Sequence, residues 1–60
     1  TTDENYVGAY YHLGGLLVDE GLEDQGLEVY SKGINIATAI KDQHALAELK
    51  SAKLNLELGL

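Results

Sequence analysis

The sequence predicts an all-α fold in which an antiparallel pair of helices is followed by a third helix. Apolar residues recur at intervals of three and four along most of the 60-residue chain, which is the period of an amphipathic helix. Gly21 and Asp42 fall between the periodic segments, where a helix end and a helix start are expected. A chain of this length forms one small domain.

The first helix is predicted over about residues 4–20. Four large apolar residues, spaced by four, three and four, would lie along one side of it. These residues are Tyr6, Tyr10, Leu13 and Leu17. The helix should end near Gly21, because glycine readily adopts the positive φ that follows many helices.

The second helix is predicted over about residues 23–40, where the periodicity is clearest. Its apolar and small residues fall within one arc of the helix surface. They are Leu22, Gly26, Val29, Tyr30, Gly33, Ile36, Ala37 and Ile40. Polar residues such as Asp24 and Glu28 lie on the opposite side, so the arc is expected to pack against the other helices.

The third helix is predicted to begin near Asp42. One apolar stripe consists of Ala45, Leu49, Ala52, Leu56 and Leu60. A second stripe, on the opposite side, consists of Ala47, Leu54 and Leu58. Two apolar sides favour contact with another chain. The alternative is a strand, since leucine alternates with other residues from Leu54 to Leu60, but the Ala-Leu-Ala-Glu-Leu-Lys run upstream favours a helix.

Glycine is unusually frequent for a helical chain, with seven residues in 60. Each glycine inside a helix costs about 0.5–1 kcal/mol relative to alanine. Gly26 and Gly33 lie on the packed arc of the second helix, and Gly14 lies in the first. We therefore predict that these three glycines allow two helices to approach closely.

Two motifs have residues at helical spacing. The first is an aromatic residue followed, after two positions, by leucine and glycine, here Tyr10, Leu13 and Gly14. The second is a small residue, an aromatic residue four positions later and a small residue three after that, here Gly26, Tyr30 and Gly33. Over residues 7–40 this pattern resembles the tetratricopeptide repeat, a unit of about 34 residues that folds as two antiparallel helices.

The resemblance implies a division of the chain into three parts. Residues 1–6 resemble the tail of a preceding repeat, 7–40 form one repeat, and 41–60 form a capping helix. The sequence departs from the family where Leu17 replaces a tyrosine and Thr38 replaces the closing proline. Because solenoid repeats usually need about three neighbours for stability, we expect either a piece of a longer array or a protomer that self-associates.

The distribution of charge argues against binding to nucleic acid. The net charge is −6, and the first 31 residues contain seven acidic side chains and no lysine or arginine. Binding to nucleic acid requires a basic stripe, which the sequence lacks.

The apolar runs of the sequence are too short to span a membrane, and no signal peptide is evident. A cytoplasmic location is therefore expected.

Neither catalysis nor metal binding is predicted. The sequence has no cysteine, and neither His12 nor His44 has a second histidine three or four residues away, as zinc helices typically do. Glu48 follows His44 by four residues, but one such pair is not a zinc motif. Gly14 and Gly15 follow no strand and precede no Lys-Ser or Lys-Thr pair, so they do not form a phosphate loop. We expect no enzyme activity and no cofactor.

The predicted function is protein–protein interaction, as a binding module or scaffold. A second side of the first helix carries Gly8, Tyr11, Gly15, Val18 and Asp19. The resemblance implies that this side receives a peptide or partner protein. The acidic first half favours a basic or mixed basic and apolar partner. As alternatives, this side packs against a neighbouring repeat, or the chain is purely structural and self-assembles through residues 41–60.

Overall fold

The computed structural model describes residues 2–59, with side chains from residue 7 onward. Three helices account for nearly all of this range: α1 (Thr2–Asp19), α2 (Glu23–Ile40) and α3 (Gln43–Leu58). No strand occurs between residues 2 and 59. The predicted all-α fold and its three helices are confirmed, and the bounds of α2 agree with those predicted.

A tight turn around Gly21 reverses the chain between α1 and α2. Gly21 has a φ of +83°, which a residue with a side chain rarely adopts. Its amide donates to the carbonyl of Val18, and the Leu22 amide donates to the carbonyl of Leu17, both at 2.9 Å. This pair of hydrogen bonds satisfies the last carbonyl groups of α1. It also places α2 antiparallel to α1.

The turn between α2 and α3 has the same hydrogen bonding without a glycine. Lys41 adopts a φ of +60°, and the Asp42 amide donates to the carbonyl of Ala37 at 2.9 Å. The Asp42 side chain then accepts from the Ala45 amide at 3.1 Å, which caps α3 as predicted. The helix continues to Leu58, so the strand alternative is wrong for residues 54–58.

The core lies where all three helices meet. Its buried residues are Val7 from α1, Tyr30 and Ala37 from α2, and Leu49 from α3. α2 packs against both of the other helices, and α1 also touches α3. The predicted stripe on α3 packs against this core through Ala45, Leu49, Ala52 and Leu56, while its last member, Leu60, lies outside the described residues.

The apolar stripe predicted on α1 is packed only in part: Tyr10 and Leu17 are half-buried, and Cβ of Tyr10 faces Gly33 of α2. Leu13 is 46% exposed, whereas Val7 and Gly14 are buried and Val18 packs against the core. The side chain of Tyr6 lies outside the described residues. The buried side is rotated away from Leu13 because Gly14 comes so close to α2 that the helix turns its smallest residue toward the interface.

The close approach at the three predicted glycines is confirmed. A Cβ at Gly14 would overlap the Tyr30 ring, at 2.6 Å from Cδ1. A Cβ at Gly26 would lie 2.7 Å from Cγ2 of Val18, and one at Gly33 would lie 3.0 Å from Cδ1 of Leu49. These glycines are therefore structural, and they allow α2 to approach both neighbouring helices.

Candidate binding groove

A concave surface lies between α1 and α3. It has a volume of about 530 Å³. Tyr11 and Val18 of α1 form one wall, and Tyr30 of α2 forms the floor. The opposite wall comes from α3 and includes Glu48, Ser51, Ala52, Asn55 and Leu56. We call this surface the α1–α3 groove.

A smaller recess of about 230 Å³ opens beside the groove on α1. It is lined by Tyr11, His12, Gly15, Leu16, Asp19 and Tyr30. Tyr11 and Tyr30 line both concavities, so the two lie side by side. We call this recess the Tyr11 pocket.

Tyr30 connects the core to the concave surface. The residue is only 5% exposed, and its ring lies against Gly14. Its ring centroid is 6.4 Å from that of Tyr11, with 37° between the ring planes. Burial, together with the nearby Tyr11 and Asp19, raises the pKa of Tyr30 above its ordinary value. The phenol therefore remains a neutral hydroxyl at physiological pH.

The five residues predicted to bind a partner lie in different parts of this surface. Tyr11, 43% exposed, lines both concavities. Gly15 and Asp19 line the Tyr11 pocket, and Val18 lines the groove while also packing against the core. Gly8 is exposed on the same side of α1 but lines neither concavity.

Two parts of the surface were missed by sequence reasoning. The sequence predicts only a packing role for Tyr30, and it predicts no binding residue on α3. A signal for the α3 wall does exist: His44, Glu48, Ser51 and Asn55 recur at intervals of four, three and four. This polar stripe faces the groove, between the two apolar stripes of the same helix.

The carboxylates of the two concavities give the surface acidic character. Asp19 lines the Tyr11 pocket and Glu48 lines the groove. Oε2 of Glu48 also lies 3.4 Å from Nε2 of the exposed His44. Neither concavity is lined by a lysine among the residues described. The surface therefore favours a ligand with positive charge.

The described residues show no geometry for a metal ion or for a membrane span. Between residues 7 and 59, no three His, Asp or Glu side chains come together in a way that could hold a metal. None of the described helices combines the length and apolar character needed to cross a bilayer.

Comparison with models of protein families, with curated proteins and with solved structures finds no match for this chain. The resemblance to the tetratricopeptide repeat therefore stays a prediction from the residue pattern.

Proposed function

We propose that this chain is a protein-interaction module that binds a peptide, or a segment of a partner protein, along α1 in the α1–α3 groove. The observation that carries the proposal is the groove itself. It joins an exposed aromatic side chain, Tyr11, to a polar wall that includes Ser51 and Asn55. Apolar contacts with positioned polar groups are the usual composition of a recognition site.

We also propose that the helices form a unit of the tetratricopeptide type, with residues 7–40 as the repeat and 41–60 as the capping helix. The packing supports this proposal. The small residues of the motif lie at the helix contacts, since a Cβ at Gly26 would lie 3.3 Å from the carbonyl oxygen of Gly14. Tyr30 and Gly33, which complete the motif, are buried. Leu13 does not fit this packing, because it remains exposed.

The chemistry of the groove suits an extended chain. The side-chain amide of Asn55 both donates and accepts hydrogen bonds, so it can pair with the backbone of a bound peptide. Val18 and Leu56 provide apolar contacts on opposite walls. Asp19 and Glu48 add negative charge. The proposal therefore assigns binding of a basic and apolar segment, not catalysis, to this surface.

Selection from a random peptide library tests the proposal. We expect the bound peptides to be basic or mixed basic and apolar, and their affinity to fall as the salt concentration rises, because screening weakens charge attraction. Tyr11→Ala should weaken binding by about two- to fivefold, equivalent to about 0.5–1 kcal/mol. Asp19→Lys should weaken it further, since it reverses a charge at the site.

Glu28→Lys is the matched control for Asp19→Lys. It makes the same change of charge at an exposed position on α2 that lines neither concavity. We expect it to leave affinity close to that of the parent. Selection of acidic peptides, or equal effects of the two charge reversals, would show that net charge rather than the groove governs binding.

A second candidate function is self-assembly through α3. Leu54 and Leu58, on the predicted second stripe, are 54% and 61% exposed. A second copy of the chain would bury these leucines and enlarge a core that is small for an independent domain. This alternative is favoured by two exposed leucines that do not line the groove, although Ala47 of the same stripe does.

Leu54→Glu combined with Leu58→Glu tests the second candidate. If α3 is the interface, the parent should form oligomers and the double variant should be a monomer, because the interface would bury two carboxylates without partners. Light scattering over a range of concentrations gives the mass. Leu13→Glu with Leu16→Glu, at exposed positions on α1, should leave the mass unchanged. A monomeric parent, or an unchanged mass in the folded α3 variant, would exclude this interface.

A further inference from the structure

We propose that the Tyr11 pocket binds an arginine side chain of the partner, which lies across Gly15 between the ring of Tyr11 and the carboxylate of Asp19. This inference rests on the proposed function, and it assigns the residue type that the pocket recognises. It also gives Gly15 a role in binding, separate from the roles of the glycines that pack the helices.

Tyr11, Gly15 and Asp19 are aligned along one side of α1. Their spacing of four residues places them one above another, and the rise of 1.5 Å per residue separates the two ends by about 12 Å. Gly15 stands midway, and its missing side chain leaves the helix backbone open to the pocket. A ligand side chain crossing Gly15 therefore has an aromatic ring on one side and a carboxylate on the other.

Packing does not explain Gly15. A Cβ there would meet only the hydroxyl oxygen of Tyr30, at 3.9 Å, which is an ordinary contact. At Gly14, in contrast, the added carbon would overlap the ring of Tyr30. Glycine is unfavourable within a helix, so its presence at position 15 has no structural benefit among the described contacts. Glycine at this position instead keeps the pocket open to a ligand.

The Tyr30 hydroxyl is a further polar group beside the pocket. The residue as a whole is only 5% exposed, with its ring packed against Gly14. The oxygen lies beside Gly15, and the residue lines the pocket. An N–H group of a ligand in the pocket can donate to this oxygen, since a phenol oxygen accepts as well as donates.

Arginine fits these groups better than lysine or a neutral side chain does. Its planar guanidinium stacks on an aromatic ring and presents five N–H donors, enough to serve a carboxylate and a phenol oxygen together. A lysine ammonium is compact and strongly hydrated, so it gains less from stacking. Citrulline, which has nearly the same shape as arginine without the charge, lacks the attraction to Asp19.

The inference is tested with N-acetyl-arginine N-methylamide, titrated onto the ¹⁵N-labelled chain. We expect saturable shifts of the Gly15 and Asp19 amides, with binding at least threefold weaker for the lysine analogue and at least tenfold weaker for the citrulline analogue. Gly15→Gln should reduce arginine binding at least tenfold by filling the pocket. Gly15→Ala tests that the fold tolerates a side chain here, and should keep the parent's helicity.

Asp19→Asn provides a second variant that preserves shape, and we expect a loss comparable to that of citrulline. Equal binding of arginine and citrulline, or full arginine binding by a folded Gly15→Gln or Asp19→Asn variant, would overturn the inference. Peptides that occupy the α1–α3 groove but are insensitive to Gly15→Gln would overturn it while leaving the proposed function intact. Arginine binding in the pocket, with no library peptide bound in the groove, would instead support the pocket and contradict the proposed function.

Discussion

Replacing Gly26 by leucine is expected to destabilise the fold by more than about 2 kcal/mol. The first added carbon would lie 2.7 Å from Cγ2 of Val18 and 3.3 Å from the carbonyl oxygen of Gly14. Because the second contact is with backbone, a rotamer change cannot relieve it, and α1 and α2 must separate. Chemical denaturation followed by circular dichroism measures the loss as a lower midpoint.

Gly8→Ala is the control for this substitution. Gly8 also lies within a helix, but a Cβ there would meet nothing within 4 Å. The alanine should therefore stabilise the chain by about 0.5–1 kcal/mol through its better helix propensity. If Gly26→Leu had the same midpoint as the parent, the close packing of α1 on α2 would be incorrect.

Leu49→Ala is expected to cost about 2–5 kcal/mol, the usual effect of creating a cavity in a core. Leu49 is fully buried, and its methyl groups lie against Gly33 of α2. A domain of this size rarely has more than about 3–5 kcal/mol of net stability. The variant should therefore be largely unfolded at 25 °C, which the loss of helical signal in circular dichroism would reveal.

Leu54→Ala is the control for Leu49→Ala. It makes the same chemical change on the same helix, at a side chain that is mostly exposed. In the monomer it should alter the free energy of unfolding by no more than about 0.5 kcal/mol. Similar losses at positions 49 and 54, in samples shown to be monomeric, would contradict the assignment of Leu49 to the core.

The helices could be predicted from sequence because their signals are local. Gly21 and Asp42 act on the backbone within a few residues, and both have the predicted role in the structure. The side of α1 that packs was harder to predict. Leucine at position 13 has the larger apolar surface, but contact with α2 depends on how closely the backbones approach, which favours Gly14 instead.

The candidate site could be predicted only where it lies on one helix. Tyr11, Gly15 and Asp19 share a side of α1 by simple periodicity. The polar stripe of α3 can be identified from periodicity. The helix that this stripe faces, like the position of the Tyr30 hydroxyl, depends on how the three helices pack. Tyr30 also has two roles, since its ring fills the core while its hydroxyl reaches the pocket.

The central claim, that a partner binds between α1 and α3, is tested most directly by mapping a selected peptide onto the chain. Titration of the peptide into ¹⁵N-labelled protein reports the backbone amides that it affects. We predict the largest shifts at Tyr11 and Gly15 on α1 and at Ser51 and Asn55 on α3, the walls of the two concavities. Shifts confined to the outer side of α3 around Leu58, with the groove amides unmoved, would contradict the account.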